Sequence, residues 1–126
     1  MPASARTVLV VDDDPVMLAF LERAVGAAFA VLTAADGAAA LATAQAGGVD
    51  LVVADLHMPG LDGFAFTEAL RADDRTARLP LLILSGSDRS EDRIRCLRLG
   101  ADDFVAKPFN PEELMARIDN LFRRLS

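Results

Sequence analysis

Five short apolar runs, separated by segments of helical periodicity, constrain this chain more than any other feature. They are Thr7-Val8-Leu9-Val10-Val11, Ala30 to Ala34, Val49 to Ala54, Pro80-Leu81-Leu82-Ile83-Leu84 and Asp103-Phe104-Val105-Ala106. All five read as strands, the β-branched first run as one buried on both faces and the second as the weakest candidate. The third is the most informative, because it runs straight into Asp55 and then into a loop punctuated by Pro59, Gly60 and Gly63.

The intervening segments carry helix signals. Asp14-Pro15 supplies a cap and a first-turn proline, and Leu18, Leu21, Val25 and Phe29 recur at helical spacing. Asp36-Gly37 opens a helix over 38–46, closed by Gly47-Gly48. Asp62-Gly63 starts a third helix with Phe66, Ala69 and Leu70 inward, followed by a polar connection over 73–78. A fourth spans 88–99, with Ile94 and Leu97 inward and Gly100 as its stop. Asn110-Pro111-Glu112-Glu113 caps the fifth, which Leu114, Ile118, Leu121 and Leu125 carry to the terminus. Strands alternating with helices predict an α/β fold, a parallel sheet covered on both faces and joined by right-handed crossovers.

At 126 residues, without repeat, linker or low-complexity tail, residues 1–126 are expected to form a single domain. The apolar content excludes disorder, and with neither Trp nor Tyr the core must be aliphatic with a few phenylalanines. A net charge of −6 argues against direct nucleic-acid binding. The single cysteine, Cys96, excludes an internal disulfide framework and a cysteine metal cluster, and reads as packing or surface. Residues 1–6 lack a signal-peptide core, and the apolar stretch from Val16 to Leu32 is broken by Glu22, Arg23 and Gly26. A cytoplasmic protein with no membrane contact is expected.

In open parallel sheets ligands bind outside the carboxyl ends of the strands. That edge would gather Asp12 and Asp13 from the first strand, Asp55 from the third, Ser85 from the fourth and Lys107 from the fifth. Each alone has an ordinary explanation as a cap, a turn hydroxyl or a loop residue. Together they imply chemistry. Clustered carboxylates repel unless a cation joins them, and hard oxygen donors suit Mg²⁺. Lys107 adds a compact ammonium. A carboxylate can act as nucleophile and form an acyl phosphate, and phosphoryl transfer needs its oxygens neutralised and positioned. Asp55 is therefore read as the reacting group, with Ser85 donating to a phosphoryl oxygen and no separate base required. For His57 the backbone carbonyl, rather than the imidazole, is the useful Mg²⁺ ligand. Asp14, Asp62 and Gly63 read as cap and turn residues, Asp102 and Asp103 as solvent-facing, and Arg123-Arg124 as complementing the last helix dipole.

Over residues 6–124 the chain resembles the receiver domain family of response regulators. The resemblance rests on Val8 to Pro15, Asp55-Leu56-His57-Met58-Pro59-Gly60-Leu61-Asp62-Gly63, Ser85-Gly86 and Lys107-Pro108-Phe109. It implies a flavodoxin-like doubly wound fold with strand order 2-1-3-4-5. Asp55 then corresponds to the phosphoacceptor, served by a sensor histidine kinase or phosphotransfer protein. Asp13, Asp55 and the His57 carbonyl correspond to direct Mg²⁺ ligands, and Asp12 to a ligand acting through water. Ser85 takes the switch hydroxyl position, Lys107 the phosphoryl contact, and Phe104 the aromatic switch position. Ser85 stands where threonine is commoner, and Phe104 lacks a phenolic hydroxyl, so switching would work by packing alone. His57 and Ser87 fall at positions that tune dephosphorylation.

The favoured reading is a phosphorylation-dependent signalling switch, not a multiple-turnover enzyme. One alternative is a haloacid-dehalogenase-like phosphohydrolase using Asp12 and Asp14, with Leu84-Ser85-Gly86 as its second motif. It leaves Asp55 unexplained, lacks a cap insertion, and would require Asp102-Asp103 to follow Lys107. Another is a pseudo-receiver interaction module, against which the complete acid, hydroxyl and lysine set argues. A flavin-binding flavodoxin is disfavoured, because no hydroxyl-rich phosphate loop follows the first strand. The output would be a downstream protein target or a fused effector, the chain being either a stand-alone receiver or a piece of a longer regulator. A homodimer through the fourth helix, fifth strand and fifth helix is one option, with Arg89, Arg93, Arg95 or Arg98 facing Asp102 or Asp103 of a second copy.

Overall fold

The computed structural model describes residues 6–124, so Leu125, expected as the last inner position of the fifth helix, lies outside the described residues. The elements alternate strictly. They are β1 (Thr7–Val11), α1 (Pro15–Gly26), β2 (Ala30–Ala34), α2 (Gly37–Gln45), β3 (Leu51–Asp55), α3 (Gly63–Ala72), β4 (Leu81–Ser85), α4 (Ser90–Leu99), β5 (Asp103–Ala106) and α5 (Pro111–Arg124). The five strands form one parallel sheet in the order β2-β1-β3-β4-β5, the order the family resemblance implies.

Alternation along the strands divides the core into two layers. Leu9, Val11, Val52, Ala54, Leu81 and Ile83 meet Ala40 and Ala44 of α2, Phe66 and Leu70 of α3, and Cys96 of α4. Val8, Val10, Leu51, Val53, Leu82 and Leu84 point the other way, onto Leu21 and Val25 of α1 and Leu114, Ile118 and Leu121 of α5. Strands covered on both faces have no polar face to show, which is why these runs are continuously apolar.

Helix starts follow the expected caps. Asp14 accepts from the Val16 N–H, Asp36 from Ala39, Asp62 from Ala65, and the Asn110 side chain from Glu112. Each satisfies an otherwise orphaned amide of a first turn.

The structure corrects one expectation and adds partners to two others. In α4 the residue turned inward is Cys96, while Ile94 and Leu97 are 44% and 45% exposed. At 3.6 residues per turn a neighbour lies about 100° around the helix, so burying Cys96 turns Leu97 away. Secondly, the polar connection after α3 holds a buried Thr76, whose hydroxyl donates to the Leu70 carbonyl at 2.7 Å. Thirdly, Asp102 is exposed, as expected, and Asp103 is half-buried, but both are also held within the chain. The Asp102 carboxylate accepts from the Leu81 N–H and from Arg71, and Asp103 pairs with Arg117 at 3.1 Å.

Arg71, in the last turn of α3, also donates to the carbonyls of Ala77, Leu79 and Gly100. Gly100 sits at φ 120°, and an added Cβ would come within 2.9 Å of the Arg71 side chain. This guanidinium therefore pins the ends of α3, β4, α4 and β5 remote from the strand carboxyl ends. Arg71→Met should lower unfolding stability by about 2–3 kcal/mol, since several carbonyls lose a charged donor together. Urea denaturation checks this, and a loss within error of zero would remove Arg71 from the fold's supports.

Candidate functional site

Because β1 and β3 are central and buried, the residues that end them cannot avoid one another. Asp12 follows β1 with 1% exposure, and Asp55 closes β3 with 7%. Ser85 ends β4 fully buried, and its carbonyl accepts the Lys107 N–H at 2.7 Å, bringing the segment after β5 alongside. Lys107 Nζ then lies 3.1 Å from Asp55 Oδ1 and 3.2 Å from Asp12 Oδ2. The other Asp12 oxygen accepts from the Asp14 N–H at 2.9 Å. Asp12, Asp13 and Asp55 each offer an oxygen within 4.8 Å of the others, Asp13 from an exposed position. This is a compact all-oxygen donor set, suited to a small hard divalent cation.

The electrostatics are unbalanced. Burial pushes the Asp55 carboxyl above its ordinary range; the hydrogen bond and charge of Lys107 oppose this, and the charges of Asp12 and Asp13 reinforce it. Burial alone would lower the Lys107 ammonium. The hydrogen bond and charge of Asp55, followed by Asp12, outweigh it and hold Lys107 above the usual lysine value. One ammonium thus reaches two of the three carboxylates, and a further cation would relieve the remaining negative charge. Cys96 takes no part. Burial, with Asp92 adding to it, pushes its thiol up to about 11, leaving little thiolate.

Other expected residues fall around this centre. His57 is exposed in the loop after β3. Asp14, needed by the phosphohydrolase reading, is exposed and caps α1, outside the carboxylate group. Gly63 is required by packing, since an added Cβ would lie 2.7 Å from the Leu56 Cα. Phe104 is half-buried and lines a pocket of about 230 Å³ with Ser87, Asp88, Arg89, Arg93 and Ala106. The ring therefore has free space beside it.

One contact near the site escaped sequence reasoning. Asp92, in the first turn of α4, accepts a hydrogen bond from the Ser87 hydroxyl at 2.8 Å. An acid three residues after a cap position is a recognisable signal, but here the cap position holds Arg89, which hid it.

The chain belongs to the response regulator receiver domain family, whose model matches residues 8–119. Receiver domains of this family act as switches in two-component signalling. The transcriptional regulatory protein PrrA of Mycobacterium tuberculosis is 47% identical over 118 residues, covering 93% of this chain and 50% of PrrA. The DNA-binding dual master transcriptional regulator RpaA of Synechocystis is 38% identical over 118 residues, covering 93% and 49%. Among solved structures, the receiver domain of the Pseudomonas aeruginosa sensor histidine kinase PA1611, with a magnesium ion coordinated in its active site cleft, superposes at a TM-score of 0.81. It shares 31% identity and covers 93% of this chain and 97% of that one.

The chain thus spans about half the length of the curated relatives it matches. The expectation of no direct nucleic-acid contact is not borne out, because RpaA is DNA-binding by name. The acidic balance describes these 126 residues and cannot speak for the other half of such a regulator. Among the described residues no helix is long and apolar enough to cross a membrane.

Proposed function

We propose that this chain is a phosphorylation-dependent switch in which Asp55 accepts a phosphoryl group from the phosphohistidine of a sensor kinase or phosphotransfer protein. The observation that carries this reading is the Asp55 carboxylate, buried at the end of β3, held by Lys107 and crowded by two further carboxylates. An Asp55 oxygen attacks phosphorus, the phosphorus–nitrogen bond of the donor breaks, and the imidazole leaves with the bonding pair and is protonated. Lys107 holds the carboxylate in place and faces the phosphoryl oxygens as negative charge builds on them. Ser85 donates its hydroxyl proton to one of those oxygens. Asp13, Asp55 and the His57 carbonyl would hold Mg²⁺, with Asp12 acting through water, and the ion supplies the positive charge that Lys107 alone does not. The PA1611 receiver, with magnesium in its cleft, supports this assignment.

In this reading Ser85 moves toward the phosphoryl group and the Phe104 ring follows into the pocket beside it, changing the surface of α4, β5 and α5. Ile94 and Leu97 are the exposed apolar groups there that a target, a fused effector or a second copy would cover. The dimer pairing drawn from the sequence changes, because Asp102 and Asp103 are already engaged by Arg71 and Arg117 of the same chain. Residues 1–126 act as one cytoplasmic receiver unit and turn over no substrate repeatedly.

Incubation with acetyl phosphate and Mg²⁺, read by intact mass, tests the assignment. One phosphoryl adduct is expected, absent without the metal and absent in Asp55→Asn. An adduct that persists in Asp55→Asn but disappears in Asp12→Asn would transfer the nucleophile to Asp12 and favour the phosphohydrolase chemistry.

A further inference from the structure

The start of α4 is built unlike the starts of the other helices. Asp14, Asp36, Asp62 and Asn110 bond directly to first-turn amides of their helices, whereas Arg89, the residue before α4, makes no side-chain cap bond. Ser87 instead bonds the residue before the helix and an acid in its first turn. The Ser87 hydroxyl accepts from the Arg89 N–H at 3.2 Å and donates to Asp92 Oδ2 at 2.8 Å. On its other side, the Ser87 N–H donates to the Ser85 hydroxyl at 2.9 Å. Ser87 therefore links the two ends by two separate hydrogen bonds, one from its hydroxyl to the carboxylate of Asp92 on α4 and one from its amide to the buried hydroxyl at the end of β4. Packing does little to hold the loop between them, since a Cβ added at Gly86 would meet nothing within 4 Å.

We propose that Asp92 is a positioning residue for phosphoryl chemistry at Asp55, acting through Ser87 on the Ser85 hydroxyl. The inference rests on the phosphoacceptor reading and extends it to a residue outside the carboxylate and lysine set. A serine hydroxyl has one proton to give and lone pairs to receive with. The Ser87 amide occupies a lone pair of Ser85 and so biases its proton away from the loop, toward the phosphoryl oxygens. That amide is aimed by the Ser87 side chain, and Asp92 fixes the side chain. The coupling is therefore geometric, through the conformation of Ser87, which its two hydrogen bonds hold from both ends. Asp92 further ties the first turn of α4 to the hydroxyl that senses phosphorylation, so displacement of Ser85 pulls on the helix directly. The competing account makes Asp92 only an acid at a helix N-terminus, stabilising the dipole.

The test measures the rate of phosphoryl uptake from acetyl phosphate and its decay in wild type, Asp92→Ala, Asp92→Asn, Ser87→Ala and the Ser87→Ala/Asp92→Ala double variant, with a thermal melt of each. Asp92→Ala should slow uptake roughly ten-fold, the lower end of what lost outer-shell support of a site costs. Asp92→Asn, which keeps an acceptor oxygen for Ser87, should restore most of it. The double variant should be no slower than Ser87→Ala. Deuterium exchange at the Ser87 amide, which needs no phosphoryl transfer, should quicken in Asp92→Ala and recover in Asp92→Asn. A normal uptake rate in Asp92→Ala, losses that multiply in the double variant, or an unchanged Ser87 amide each overturn the inference. A wild-type chain that accepts no phosphoryl group overturns the phosphoacceptor reading itself, and the inference with it.

Discussion

Asp55→Asn is expected to take up no phosphoryl group and yet to melt at a higher temperature than the wild-type chain. The first half follows from chemistry, because a neutral amide is a far poorer nucleophile than a carboxylate toward phosphorus. The second follows from the same burial that makes the site reactive. The Asp55 side chain is 10% exposed, and its pKa is raised in the folded chain chiefly by burial, with repulsion from Asp12 and Asp13 adding to it and Lys107 only partly opposing it. A folded-state pKa above the unfolded value of 3.8 means that the native chain holds this proton more tightly than the unfolded chain does. Stability contributed by the site therefore falls as pH rises from 3.8 through the folded pKa, and stays reduced at neutral pH. Asparagine carries no charge and escapes that cost. Melts without divalent cations should show the variant ahead at pH 7, with the gap closing as the pH falls below 3.8. Added Mg²⁺ should narrow the gap at pH 7, because it binds the wild-type folded state more tightly. A variant that melts below wild type at pH 7 without metal would mean that the Lys107 contact outweighs burial and repulsion combined.

Phe66→Ala should be the most destabilising single change among these predictions. Phe66 is fully buried on the inner face of α3, in the layer that includes Val52, Ala54, Leu81, Ile83 and Cys96. Truncation removes a ring and leaves a cavity that strands on one side and helices on the other cannot collapse into. The cost is about 3–5 kcal/mol, a large part of the roughly 5–15 kcal/mol by which a domain is stable. Phe66→Leu keeps most of the volume and should cost less than about 1.5 kcal/mol. Urea denaturation reads both, as a fall in midpoint at unchanged slope. If the two variants lost equal stability, packing volume would not be what Phe66 contributes. The layer carries α3 and α4, and α4 bears Asp92, which holds the Ser87 side chain beside Ser85, so the alanine variant should also blunt phosphoryl uptake at temperatures where it is still folded.

Much of this was legible beforehand, for reasons that can be named. β1, β3 and β4 were legible because burial on both faces demands unbroken apolar runs, whereas β2, largely exposed at the sheet edge, gave the weaker signal. The helix starts were legible because Asp14, Asp36, Asp62 and Asn110 precede helical periodicity. Asp12, Asp55, Ser85 and Lys107 were legible as a group because a parallel sheet puts every strand's carboxyl end on one edge. The inner face of α4 was misread because Ile94 and Leu97 are its large apolar residues, while the structure buries the smaller Cys96. Asp102 is exposed, as read, but nothing local to it or to Asp103 shows that Arg71 and Arg117 arrive from α3 and α5.

The sequence by itself determined the element order, the layering and which residue types stand at the reactive edge, since each depends on periodicity or on groups a few positions apart. Only the tertiary structure decided which oxygens Lys107 touches, across 52 positions to Asp55 and 95 to Asp12. It alone revealed that Asp92 reaches Ser85 through Ser87. Periodicity records which way a side chain faces within its own element. A contact between elements depends on how several crossovers pack against one sheet, which no single stretch of chain encodes.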